Sequence, residues 1–320
     1  MSNIEMKDPG DRRITLPHAL RRRQLDLSGV GFRLVVVSST LMAMGILAIL
    51  VFDVLGGGVR VLSTRPIEFL TSGLSSSPLS AGVSQAIRGT IVLSGIVAVV
   101  AFPVGIGAAI HLEEFASDNR LRRFLDLSVR NLAGVPSVVY GILGLTIFVR
   151  KLGGIMGPGT ANGSSVLSAG LTLAVLVLPI VVITASEAIR AVPQGVRDAA
   201  SAMGATRWEV TRTVVLPMAS PGILTGVVLA ITRAMGEAAP LVLIGATTGF
   251  LTGGDSYAPS SFTERFTALP VVIAEWSSRP QSGFRDQLTP AAITVLLALV
   301  VLVNSALAIL RRRMEHHLSG

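Results

Sequence analysis

Arg233 and Glu237 are the residues whose types and spacing come closest to chemistry. Both fall in an apolar run that begins near Pro221. An ionised arginine at mid-bilayer costs about 2.5–3.5 kcal/mol even on lenient insertion scales, so it must face protein or water. The 12 residues from Pro221 to Arg233 span roughly 18 Å of helix, just past the midplane of a hydrocarbon core about 30 Å thick. Glu237 comes one turn later on the same face. Two readings are open at this point. The pair is either a self-neutralising staple that locks helices together, or a charged station on a hydrophilic path. A guanidinium presents forked donors that suit a tetrahedral oxyanion.

The other titratable residues do not assemble a catalytic set. His18, His111, His316 and His317 lie at tails or helix ends, none beside Asp or Ser within an apolar run. His316-His317 reads as a solvated tail, so no metal site is expected. Gly253-Gly254-Asp255 suggests half of an intramembrane aspartyl site, but Asp255 is in a polar loop without a second aspartate. An embedded enzyme therefore has no credible constellation. The only lysines are Lys7 and Lys151, and neither ends a G-x4-G-K-[ST] string. If ATP drives this protein, a partner binds it. Without cysteine there is no disulfide framework and no thiolate chemistry. No cofactor is expected.

The elements that must position Arg233 and Glu237 follow from composition. Of 320 residues half are apolar and 14% charged, with a mean hydropathy of +0.67. The fold class is therefore all-α, a polytopic transmembrane helical bundle. Residues 1–33 form a basic tail, and 34–310 hold six expected spans: Leu34–Phe52, Thr90–Ile110, Leu132–Val149, Val166–Ala185, Pro221–Gly245 and Pro290–Leu310. The Gly/Ser/Pro-rich stretch 53–85, the loop 153–165 and the long segment 246–289 are placed outside. Residues 311–320 form a second tail. With both termini cytoplasmic, the inner segments hold 18 of the 27 Lys and Arg and the outer ones eight, as the positive-inside rule requires. The net charge of +8 thus follows membrane topology and does not indicate nucleic acid. Gly222-x3-Gly226 suits close helix packing in lipid.

A polar island, 186–218, separates the fourth and fifth runs. Val196, Ala199, Ala200 and Met203 mark one narrow apolar face of a helix. Gly204 follows where a left-handed residue usually ends such a helix. Thr206-Arg207-Trp208-Glu209 has the form of a capping box, so a second helix starts there. Pro217 stops that helix or marks the first turn of the next. Taken alone, the island reads as an ordinary cytoplasmic loop. A small alanine face also lets another protein's backbone approach closely.

The spacing Asp198-Ala199-Ala200-x3-Gly204-x9-Val214-x-Leu216-Pro217 resembles the EAA signature of permease subunits of bacterial ABC importers, with Asp for Glu and Val for Ile. The stretch Arg233-Ala-Met-Gly-Glu-Ala-Ala-Pro-Leu241 is similar to R-A-I-G-E-T-A-P-L of the phosphate transport permeases, with Ala238 for threonine. Pro136-Ser-Val-Val-Tyr-Gly141 and Phe266-Thr-Ala-Leu-Pro270, with Trp276 and Pro280 beyond, resemble further stretches of the same subunits. The likeness spans about 90–310. It implies a multi-pass subunit in the cytoplasmic membrane of a prokaryote, not an enzyme itself, that moves inorganic phosphate. Its implied partners are a second permease subunit, paralogous to this one, two cytoplasmic ATP-binding subunits and an extracytoplasmic phosphate-binding protein. The resemblance gives Asp198, Ala199, Ala200, Met203, Gly204, Leu216 and Pro217 the coupling role, and places Arg233 and Glu237 on the substrate path. Sulfate and molybdate permeases share R-A-x-G-E but usually continue with an aromatic residue rather than A-P-L. A secondary transporter would need ion coupling through intramembrane acids, for which Glu237 alone is thin support.

Overall fold

The computed structural model describes residues 27–156, 163–247 and 262–319, and every regular element among them is a helix. The chain forms two units, 1–53 and 54–320. The described part of the first is the opening of α1 (Leu27–Thr64). Its large apolar side chains, from Phe32 to Phe52, are exposed, as expected of a helix whose solvent is lipid.

In the second unit α1 runs on to Thr64, where the sequence places an outer loop. Two of the glycines that suggest a loop, Gly57 and Gly58, lie where another helix needs the space. A Cβ on Gly58 would lie 2.4 Å from Thr294 Oγ1 and 2.9 Å from the Pro290 carbonyl. After α2 (Pro66–Thr71) comes α3 (Ser84–Ile110), prolonged by a π turn over His111–Phe115. Helix α4 (Arg120–Ala133) is amphipathic and has no buried residue. It meets α5 (Ser137–Gly144), which continues as a π turn to Lys151, at an angle of 101°. The third expected span is thus not one straight helix. Pro136 disfavours helical backbone at Val135 and has no N–H to donate, so the chain turns between Gly134 and Pro136.

A single turn, α6 (Gly153–Met156), precedes α7 (Val166–Arg190), which opens on a reciprocal cap between Ser165 and Ser168. Next come α8 (Gln194–Ala202) and α9 (Arg207–Val210). A π turn over Thr211–Val215 joins α9 without interruption to α10 (Leu216–Gly236). Pro217 therefore ends nothing. It sits in the first turn of α10, after the Leu216 N–H has bonded to the Thr211 carbonyl. The expected fifth span starts earlier and stops sooner than Pro221–Gly245. Glu237 is extended, and a short α11 (Ala239–Ile244) follows. Pro240 explains the stop, because a proline cannot bond to the carbonyl four residues back, here that of Gly236.

Beyond α12 (Leu269–Ser278), a π turn over Gly283–Leu288 leads into α13 (Thr289–Ser319). The last helix runs through Arg311–Arg313 and does not end there. Among the described residues five helices are long and apolar enough to cross a membrane, and the bent α4–α5 pair makes a sixth crossing if it spans as one.

Helix α7 packs against both α3 and α10, around Leu93, Val97, Leu173, Val177, Val181 and Ala230. The Gly222/Gly226 pattern serves its expected purpose: a Cβ on Gly226 would come within 2.0 Å of Thr184 Oγ1 on α7. At the end of the bundle where α3 begins, Trp276, Phe284 and Phe69 form a second core. The expected outer segment is not simply external loop, since Phe266 and Leu269 are fully buried. Residues 262–268 cross the start of α7. The Glu264 and Phe262 carbonyls accept the N–H groups of Val166 and Leu167 at 3.1 and 2.9 Å, donors that the helix itself cannot satisfy. Asp255 lies outside the described residues.

Candidate functional site

Arg233 occupies the last turn of α10, roughly 26 Å along the axis from Leu216 at 1.5 Å per residue, and not the middle of a continuous helix. Glu237 belongs to the break rather than to the helix face, yet its Oε1 accepts from Arg233 Nε at 3.3 Å. Both side chains keep access to the surroundings, 38% exposed for Arg233 and 18% for Glu237. The bond joins the helix end to the residue that follows it, so it does not staple two distant helices. Among the described residues the two terminal nitrogens of Arg233 have no hydrogen-bond partner, which leaves the fork of the guanidinium open.

Two stretches that carry Gly and Pro meet here. A Cβ on Gly141 of α5 would sit 2.7 Å from Pro240 Cα, so α5 lies directly against α11, just past Glu237. Tyr140, buried beside this contact, donates to the Leu132 carbonyl at 2.8 Å and ties α5 back across the bend to α4. Thr232, next to Arg233, donates to Asn304 Oδ1 of α13 at 2.9 Å. Ala238, at the start of α11, offers no side-chain cap.

At the other end, α8 is a surface helix with no buried residue. Asp198 accepts from Gln194 Nε2 at 3.0 Å. Ala199 is exposed, Ala200 half-buried, and Met203 88% exposed. The apolar face read from Val196, Ala199, Ala200 and Met203 is thus largely uncovered. Gly204 has φ +89°, the left-handed geometry read from its position. Thr206 and Glu209 form the reciprocal cap, with the Thr206 N–H donating to Glu209 Oε2 at 2.7 Å. Leu216 and Pro217 are separate from that surface. They are half-buried at the start of α10, with Leu216 packed against the cluster of Ala109, Ile189 and Val215.

An ion-pair network behind α8 escaped the sequence reading. Glu113, on the π turn that ends α3, accepts two bonds from Arg190 at 2.8 and 2.7 Å and one from Arg122 at 3.1 Å. Glu114 pairs with Arg197 of α8. The available signal was two adjacent carboxylates directly after an apolar run, matched by arginines at the end of the α7 run and on α8. Clefts of about 270 and 350 Å³ flank this network. Among the described residues no group of His, Asp and Glu could hold a metal ion.

Residues 101–316 match the family described as the inner membrane component of binding-protein-dependent transport systems. The chain belongs to this family. It is a multi-pass membrane permease subunit and not an enzyme in its own right. The permease is 32% identical over 240 residues to the phosphate transport system permease protein PstA 1 of Mycobacterium tuberculosis, covering 75% of this chain and 73% of the relative. It is 30% identical over 308 residues to the phosphate transport system permease protein PstC of Mesorhizobium japonicum, covering 90% of each. Among solved structures, a bacterial ABC transporter that imports the acidic polysaccharide alginate superposes with a TM-score of 0.58 at 17% identity, over 88% of the permease and 98% of that chain. That likeness shows a shared fold with ABC importer permeases.

Proposed function

We propose that this permease is one of the two membrane subunits of an ATP-driven importer of inorganic phosphate. The observation that carries the substrate class is Arg233: its guanidinium is accessible, held by Nε alone, and has two terminal nitrogens open to an oxyanion. Relatives named as phosphate permeases narrow the anion to phosphate. In this reading Arg233 and Glu237 line the path, which a second, paralogous permease subunit completes. Asp198, Ala199, Ala200, Met203 and Gly204 form the surface on which one of two cytoplasmic ATP-binding subunits docks, and Leu216 and Pro217 anchor that surface to α10. An extracytoplasmic phosphate-binding protein delivers the anion at the opposite end. The domain division is a basic tail over 1–33, a transmembrane region over 34–310 with the coupling loop at 186–218, and a tail over 311–320. Both tails are cytoplasmic.

The test is uptake by the complete complex in proteoliposomes, with ATP inside and each anion supplied in turn with its binding protein. Phosphate should be accumulated and should stimulate ATP hydrolysis, while sulfate and molybdate should do neither. Uptake of sulfate or molybdate in place of phosphate would overturn the assignment.

A further inference from the structure

Three features of α8 belong together. It buries no residue of its own, and Ala200 alone of its apolar residues leans on the bundle. Its one enclosed charged side chain is Arg197, 15% exposed, which points inward while its neighbours are exposed. Arg197 Nη1 pairs with Glu114, and its Nη2 donates to the Ile189 carbonyl at 2.6 Å. Its Nε is buried with no partner among the described residues. Leaving that donor unsatisfied is unfavourable, so the side chain is held there by the geometry of the other two contacts.

Glu114, 8% exposed, is on the π turn that closes α3. Its neighbour Glu113, also enclosed, carries Arg190 of α7 and Arg122 of α4. Arg190 further reaches Asp126 of α4 at 3.8 Å. The network thus fastens α8 to the ends of three separate elements. The enclosed Arg197–Glu114 pair is little screened by salt, and removing one partner strands the other's charge.

From α4 the connection continues through the 101° bend, across the Tyr140 bond to Leu132, into α5. There Gly141 abuts Pro240, next to the Arg233–Glu237 pair. We infer that Arg197 and Glu114 are positioning residues that make α8 and α4 move as one body, so that displacement of α8 by an ATPase is delivered to the α5–α11 contact beside Arg233. The inference rests on the proposed coupling role of α8. Coupling of this kind is read at both ends of the chain of contacts.

The absence of native cysteine permits clean labelling. Nitroxides on Arg123→Cys of α4 and Gly195→Cys of α8 would report their separation in the assembled complex. A Cβ at Gly195 meets nothing within 4 Å, and Arg123 is 73% exposed. With native Arg197 and Glu114, the label distance should stay narrow and unchanged between nucleotide-free and ATP-bound states. Arg197→Glu or Glu114→Arg should broaden it, make it nucleotide-dependent, and lower phosphate uptake per ATP about tenfold or more, as stranding a charge implies. The double exchange should restore most of both signals. Unchanged distances and unchanged uptake per ATP in the single variants would overturn the inference, and so would a double exchange that rescues neither. If the reversals fail to assemble, Glu114→Gln and Arg197→Gln decide, and a narrow, nucleotide-independent distance in both is fatal. A parent complex that imports no phosphate would sink the substrate assignment alone, since the distance measurement needs only ATP.

Discussion

Arg233 presents an accessible guanidinium held at one edge by Glu237, the asymmetry on which its proposed role in transport rests. If the pair only stabilises the fold, replacing both partners with apolar residues of similar volume is close to neutral, whereas removing one typically costs about 3–5 kcal/mol. Arg233→Met with Glu237→Leu should therefore assemble and capture the ATPase subunit yet import no phosphate. Near-normal uptake per assembled complex would make the pair a packing device. Arg233→Lys keeps the charge but loses the fork. A charge-assisted hydrogen bond is worth about 1.5–3 kcal/mol, so half-maximal uptake should need roughly ten to a hundred times more phosphate. Titrating uptake against phosphate concentration checks it.

The hinge between α8 and α9 depends on one backbone conformation. Gly204 has φ +89°, and a Cβ there would meet nothing within 4 Å, so space is free and only the dihedral is demanding. A left-handed conformation costs an ordinary residue roughly 1–2 kcal/mol, and asparagine tolerates it better. Gly204→Val should leave the protein in the membrane but uncouple ATP hydrolysis from uptake, while Gly204→Asn should stay close to normal. Equal behaviour of the two variants would show that the hinge geometry does not matter. Gly226 is the opposite case, since its backbone is ordinary and the space beside it is filled by Thr184. Overpacking typically costs about 1–3 kcal/mol. Gly226→Val should lower the thermal midpoint of the purified complex, and Thr184→Ala in the same chain should recover part of the loss. A thermal scan of both variants decides this.

At the scale of the whole molecule, the arginines set the orientation. By the positive-inside rule the island around α8 and Arg311–Arg313 are expected on the cytoplasmic side. A reporter active only outside should work when fused in the 153–165 loop and stay silent when fused after Gly204 or after Arg313. Activity after Arg313 would mean an odd number of crossings. It would also leave α4, whose apolar Leu121, Phe124 and Leu127 are exposed, as a helix lying in the membrane interface rather than part of a span.

The sequence by itself determined whatever depends on residues a few positions apart. The apolar runs, the φ of Gly204, the Thr206–Glu209 cap and the small-residue face at Gly222 and Gly226 all follow from periods and caps that close within a turn or two. The apolar face of α8 and the Arg233–Glu237 pair were legible for the same reason. Tertiary structure decided the rest. Gly57 and Gly58 stay helical where Pro290 and Thr294 of α13 press on them, and Pro240 of α11 comes to lie against Gly141 of α5. Arg190 and Arg197 find Glu113 and Glu114 across 77 and 83 residues. Local preference cannot choose such partners, because which charges meet is fixed only when the packed helices bring their ends together.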